Sequence, residues 1–112
     1  MSSELQVIDL QEGDGKAVVK GALITTQYRG TLADGSEFDS SWSRGKPFQC
    51  VIGTGRVIKG WDQGLMGMRV GGKRKLLVPA YLGYGERSVG SIPPNSDLTF
   101  EIELLEVLTR DD

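Results

Sequence analysis

Turn-forming residues recur so often along this chain that only short pieces of regular structure fit between them. Glu12-Gly13-Asp14-Gly15, Ala33-Asp34-Gly35, Arg44-Gly45-Lys46-Pro47, Gly53-Thr54-Gly55, Gly71-Gly72 and Pro93-Pro94-Asn95 all carry turn chemistry. Between them lie short segments with strand character, the pattern of a mostly antiparallel sheet. Sixteen glycines in 112 residues are about twice the usual share, and they read as turn, bulge and close-packing positions. They do not build a phosphate loop, because Gly53-Thr54-Gly55 lacks the later glycine and the lysine-serine or lysine-threonine pair that such a loop needs.

The clearest strand is the last. Leu98, Phe100, Ile102 and Leu104 alternate with Thr99, Glu101, Glu103 and Leu105, so one face is apolar and the other mostly wet. Leu23 to Leu32 is also strand-like, with Ile24, Thr26 and Tyr28 on one face, and Ala33-Asp34-Gly35 turns the chain back through Ser36 to Asp39. Arg74, Leu76 and Val78 alternate with Lys73, Lys75 and Leu77 in a further strand closed by Pro79. One segment has the helical period: Trp61, Leu65 and Met68 fall at i, i+4 and i+7. Asp62 sits in its first turn, where a negative charge suits the helix dipole. Gly64 and Gly67 weaken it by roughly 1 kcal/mol each relative to alanine, so it persists only if packed. The pattern predicts an α+β domain of four to six strands with one short helix against the sheet.

Composition excludes several function classes. The chain contains no histidine, which rules out a Ser-His-Asp or Cys-His nucleophile pair and a histidine-ligated zinc. That favours binding, or a reaction with neither covalent intermediate nor proton transfer. A formal charge of -2 argues against nucleic acid as a partner, and Lys73-Arg74-Lys75 reads as the solvated face of a strand. The lone cysteine, Cys50, permits no internal disulfide and reads as a small buried hydrophobe. No signal peptide or membrane-spanning run is seen, which fits a reducing cytoplasm. With 38% hydrophobic residues, residues 1–112 are expected to form a single domain.

Pattern alone marks few site candidates. Phe38 and Asp39 should point to opposite faces of their strand unless a bulge intervenes, and Asp39 reads as exposed or turn-stabilising. Trp61 reads as core. Tyr84, between Gly83 and Gly85, is either a loop packing residue or a functional contact.

Taken together, the segments resemble the FKBP-type prolyl isomerases, the immunophilin family that binds tacrolimus and rapamycin. The resemblance spans about Gln6 to Val107 and rests on motifs in order. These are Thr26-Gln27-Tyr28-Arg29-Gly30-Thr31-Leu32, Asp34-Gly35-Ser36-Glu37-Phe38-Asp39-Ser40-Ser41, Lys46-Pro47-Phe48 and Val57-Ile58-Lys59-Gly60-Trp61-Asp62-Gln63-Gly64-Leu65. Gly83-Tyr84-Gly85, Ile92-Pro93-Pro94-Asn95-Ser96 and Leu98 to Leu104 complete the set.

The resemblance implies a bent antiparallel sheet of about five to six strands wrapped around one short α-helix, with the core at about residues 6–107. It implies a peptidyl-prolyl cis-trans isomerase that needs no cofactor or metal. Trp61 would form the pocket floor, and Phe38, Phe48, Val57, Ile58 and Phe100 would wall it together with Tyr28. Ile92 would cover it. Tyr28, Asp39 and Tyr84 would supply the polar, catalytic groups, with Arg44 as a partner for Asp39 and the Ile58 N–H as an anchor for the substrate. The implied partners are proline-containing polypeptides and the macrolides, met by a cytoplasmic monomer, with no nucleic acid and no membrane. Departures from the family pattern fall at Glu86-Arg87-Ser88-Val89-Gly90-Ser91, at Trp42 and at Cys50, where a smaller residue would widen the pocket margin. The Leu82-Gly83-Tyr84-Gly85 loop looks bacterial. A catalytically weak proline-binding or chaperone-like module on the same fold is the alternative function.

Overall fold

A computed structural model of the chain describes residues 4–110. Six strands form one antiparallel sheet: β1 (Gln6–Gln11), β2 (Leu23–Leu32), β3 (Glu37–Ser40), β4 (Phe48–Val51), β5 (Lys73–Val78) and β6 (Leu98–Leu108). Their spatial order is β1-β5-β6-β2-β3, and β4 pairs with β2 as well. The expected antiparallel sheet with a short helix is thus present, and the three strands read from alternation stand where their patterns put them.

Strand β2 organises the sheet. One edge pairs with β6 along its whole length, Leu23 opposite Leu108 and Leu32 opposite Leu98. The other edge is shared. Leu23 to Thr26 pair with β4, and Arg29 to Thr31 pair with β3. The gap between them, at Gln27 and Tyr28, is filled by a helical turn that the sequence pattern did not reveal, α1 (Ser41–Arg44). It is capped by the Ser40 side chain, which accepts from the Ser43 N–H, and by Gly45 in the left-handed region at φ 70°. Ser41 is fully buried, and its hydroxyl oxygen accepts the Tyr28 N–H at 2.7 Å. A side chain thereby satisfies a backbone donor for which no strand is present.

Alternation on β6 buries Leu98, Phe100, Ile102 and Leu104. A bulge opposite Thr25 and Thr26 then admits one extra residue, so Val107 is the next to turn inward and Leu105 stays exposed. Strand β1 lies at the sheet edge with none of its six residues buried. Its Val7, Ile8 and Leu10 are all exposed, which explains why no alternating pattern announced it.

The second helix, α2 (Lys59–Gly64), lies against the sheet and is shorter than its apolar period suggests. Leu65 and Met68 are buried as expected, but the helix ends before them. The Gly67 N–H donates to the Val18 carbonyl at 3.0 Å and the Val18 N–H to the Met68 carbonyl at 2.8 Å. Gly67 adopts φ 77°, so pairing with another segment replaces further helical bonds.

Asp62 does more than suit the helix dipole. Its carboxylate accepts from the N–H groups of Gly53 at 2.7 Å and Gly55 at 2.9 Å, tying that turn to α2. Arg74 departs from the solvated face expected of its basic run. It is largely buried, donates to the Gly64 and Met66 carbonyls at the end of α2, and pairs with Asp9.

Close approach sets the seat of α2. A Cβ on Gly60 would lie 2.6 Å from Val78 Cγ1, and one on Gly64 would lie 2.8 Å from Leu76 Cδ2. Gly60→Ala should gain about 1 kcal/mol of helix propensity but lose about 1–3 kcal/mol to overpacking against stiff Val78. The expected outcome is a net loss of up to about 2 kcal/mol in urea unfolding, with an increase in stability showing that α2 can lift from β5 freely.

Candidate functional site

Between α2 and the sheet lies a cavity of about 280 Å³. Every residue expected from the family motifs lines it except Ile92, and Arg56 joins them. Trp61 forms its base, 3% exposed, so one indole completes the core and also faces the cavity. Tyr28, Phe100 and Phe48 stand around it at centroid distances of 5.1, 5.5 and 5.8 Å, each near perpendicular. Phe38 meets Phe100 in the same way at 5.6 Å. Such edge-to-face pairs contribute about 0.5–1.5 kcal/mol each beyond burial, and they hold the rings upright as walls.

A bulge explains how neighbouring Phe38 and Asp39 both reach the cavity. In the β2–β3 ladder Gly30 opposes Asp39 and Thr31 opposes Glu37, leaving Phe38 as the extra residue. The bulge cancels the alternation that would have sent one of the pair away. Gly30 makes room for it, since a Cβ there would lie 2.5 Å from the Phe38 ring.

The polar groups form a closed triangle at the cavity edge. The Tyr28 hydroxyl donates to Asp39 Oδ2, and Arg44 Nη1 donates to Asp39 Oδ1. Arg44 Nη2 donates back to the Tyr28 hydroxyl at 3.2 Å, and the guanidinium carbon lies 5.6 Å from the centre of the Tyr28 ring. Helical turn α1 carries Arg44 into this position. Burial, and then the Asp39 carboxylate, push the Tyr28 phenol above its ordinary value. The hydrogen bond to Tyr28 raises the Arg44 guanidinium further still. The Tyr28 proton is committed to Asp39 and one lone pair of its oxygen to Arg44, which leaves this hydroxyl one lone pair to offer as an acceptor.

Val57 and Ile58 lead into α2. The Ile58 carbonyl accepts from Trp61 and Asp62, while its N–H precedes the helix and takes no part in it. Tyr84 is held at the rim by its neighbour Gly85, whose N–H donates to the Ala80 carbonyl at 2.8 Å and whose carbonyl accepts from Asn95 at 2.7 Å.

Ile92 is not among the residues that line the cavity. It is 5% exposed within the core cluster, paired with Val89 across Gly90 through two backbone hydrogen bonds. Cys50 is half-buried on β4 and is not among the residues that line the cavity. Burial, with the Asp62 carboxylate second, pushes its thiol up to about 11, which leaves it unreactive near neutrality. Trp42 is exposed on α1. Among the described residues no group of three or more His, Cys, Asp or Glu could hold a metal ion, and no helix is long and apolar enough to cross a membrane.

Comparison with known proteins draws on the same residues. A family model described as FKBP-type peptidyl-prolyl cis-trans isomerase matches residues 14–105. The chain belongs to this family. It is 54% identical over 104 residues to an FK506-binding protein of Neisseria meningitidis serogroup A, covering 92% of this chain and 95% of that one. It is 55% identical over 104 residues to FK506-binding protein 1 of Debaryomyces hansenii, covering 91% and 93%. Among solved structures it resembles AtFKBP13, with a TM-score of 0.87 and 45% identity over 93% of both chains. FkpA from Escherichia coli gives a TM-score of 0.86 and 43% identity over 96% of this chain and 49% of the other. Membership assigns the family's reaction, cis–trans isomerisation of the peptide bond before proline.

Two residues of the site are not marked as such by the sequence. Arg56 has no partner motif that singles it out, whereas Ser41 is visible only as a letter in a motif. Ser41→Ala leaves the buried Tyr28 N–H without its acceptor and should cost about 1–3 kcal/mol. Because Tyr28 walls the cavity, binding of a proline-containing ligand should weaken along with stability. Calorimetric unfolding and ligand titration check this, and a variant unchanged in both would mean that another acceptor reaches Tyr28.

Proposed function

We propose that the aromatic cavity is where an X–Pro bond is rotated, and that it works non-covalently by drying and twisting the amide. The observation that carries this reading is the set of near-perpendicular rings standing on Trp61 with the Tyr28–Asp39–Arg44 triangle at their edge. Rotation removes amide resonance and meets a barrier of about 18–20 kcal/mol, so uncatalysed exchange takes tens to hundreds of seconds. Water stabilises the planar, charge-separated amide by hydrogen-bonding its carbonyl oxygen. An apolar cavity strips that water and favours the less polar twisted form, which it can also hold by shape. No proton moves, in keeping with a chain that has no histidine.

In this reading the proline ring rests on Trp61 between Phe38, Phe48 and Phe100. The Ile58 N–H anchors a substrate carbonyl, and Tyr84 offers its hydroxyl at the rim. Asp39 and Tyr28 place fixed dipoles beside the amide as its charge redistributes. A thousand- to million-fold acceleration requires lowering the barrier by about 4–8 kcal/mol, within reach of desolvation plus a few aimed dipoles. The substrates are proline-containing polypeptides. The same cavity takes tacrolimus and rapamycin, a reading supported by relatives that are named for binding FK506. The chain acts as one domain, with its core at about residues 6–107, and as a cytoplasmic monomer without a cofactor.

Exchange of a short Leu-Pro or Phe-Pro peptide, followed without a coupled protease, should accelerate by roughly a thousandfold or more and stop on addition of rapamycin. Tight rapamycin binding with exchange at the uncatalysed rate would make the chain a binding module instead. Asp39→Leu should lower kcat by about tenfold or more while KM moves less than about threefold. Equal losses in kcat and in affinity would remove Asp39 from the twisted state.

The pH dependence has a definite sign. A phenol raised above its ordinary value keeps its proton longer, so the Tyr28–Asp39 hydrogen bond persists until the solution is more alkaline than about pH 10. The rate constant kcat/KM should therefore be flat from about pH 6 to about pH 9, and any loss should come only on the far alkaline side. A step within that range would point to a proton transfer that this mechanism lacks.

A further inference from the structure

The cavity opens on one side into a groove of about 560 Å³, and the two share Arg56, Val57, Ile58 and Tyr84. Lys59, Tyr81 and Arg87 extend the groove away from the cavity. Arg56, Lys59 and Arg87 are all exposed, and no acidic residue lines the groove.

Of the other cations, three arginines are held in ion pairs. Arg29 is paired with Glu37, Arg44 with Asp39 and Arg74 with Asp9. Arg56, Lys59 and Arg87 make no ion pair among the described residues. None of the neighbouring carboxylates lines the groove. Asp62 accepts from Gly53 and Gly55, Asp97 accepts from the Ala80 N–H, and Glu86 is exposed without lining the groove. The only acid lining the cavity itself, Asp39, is neutralised by Arg44. A chain with a formal charge of -2 thus concentrates unpaired positive charge along one continuous surface at the mouth of its site. Fixed like charges that the fold does not neutralise create a field that attracts the opposite sign.

We propose that this groove selects prolines standing in acidic segments of a polypeptide, with carboxylates near the proline seated against Arg56, Lys59 and Arg87. The inference rests on the isomerase reading of the adjoining cavity. The exposed ring of Tyr81 gives the same segment an apolar surface beside the charges. A peptide suits the groove better than nucleic acid, because it also has to deliver a proline into the aromatic cavity next door.

Paired peptides with a Leu-Pro core test this, one flanked on both sides by Glu and the other by Gln. Their exchange is measured by NMR at about 20 mM and about 0.5 M salt, with the wild type and with the double variant Lys59→Gln/Arg87→Gln. At low salt the Glu peptide should show a kcat/KM about three- to tenfold above that of the Gln peptide. That advantage should vanish at high salt and in the variant, while the variant keeps the wild-type rate on the Gln peptide. Equal kcat/KM for the two peptides at low salt would overturn the selectivity and leave the isomerase reading standing. A preference for Glu that survives both salt and substitution would place its origin outside the groove and equally overturn it. If neither peptide exchanged faster than in buffer alone, the isomerase reading would fall first and the groove's role with it.

Discussion

Helix α2 lies so close to β5 that Val78 and Leu76 occupy the space where Cβ atoms of Gly60 and Gly64 would project. This contact sets the depth at which Trp61 sits, buried yet with one face toward the cavity. A larger residue at either glycine would raise the helix and lift the base of the site away from its walls. The same two glycines weaken a six-residue helix that could not stand alone. Tertiary support comes from Arg74 on the Gly64 carbonyl at one end and from Asp62 gripping the 53–55 turn at the other. The helix is therefore a consequence of packing, and the cavity is a consequence of the helix.

The walls depend on an interruption in the sheet. Strand β2 changes partners from β4 to β3, and in the gap Ser41 accepts the Tyr28 N–H while α1 carries Arg44 back over the Tyr28 ring. One irregularity thus positions three groups of the polar triangle relative to one another, because Asp39 is adjacent in sequence to the turn that follows it. The bulge at Phe38 adds the fourth element by turning an apolar ring and a carboxylate toward the same space. The result is an apolar base with its polar groups gathered along one edge. A twisted amide, less polar than a planar one and charged differently at nitrogen and oxygen, is suited by that division.

Around this site the charges are distributed unevenly. The Asp39–Arg44 pair leaves its own edge nearly neutral, whereas Arg56, Lys59 and Arg87 line the adjoining groove without acidic partners among the described residues. Exposed cations of this kind contribute little to folding. Their effect falls on what approaches the cavity, and through a field whose reach shortens with salt.

Much of this architecture is legible in the amino-acid sequence by itself. Alternation in Leu98 to Leu104, in Leu23 to Leu32 and in Arg74 to Val78 determined the central strands, since a half-buried strand must place apolar residues at every second position. The absence of histidine determined that the chemistry would run without a neutral-pH proton carrier. Motifs in order marked the cavity residues almost completely. Strand β1 was not legible, because an edge strand with no buried residue carries no periodic signal. Nor was α1, whose four residues are too few to show a helical period. The apolar period ran past the end of α2 because burial of Leu65 and Met68 continued after the helical hydrogen bonds had passed to Val18. Only the tertiary structure decided that Phe38 and Asp39 share a side, that the Tyr28 proton is held by Asp39, and that three cations line one groove. Sequence records what each residue prefers locally, whereas bulges, strand exchanges and charge neighbourhoods arise from segments distant in the chain meeting in space.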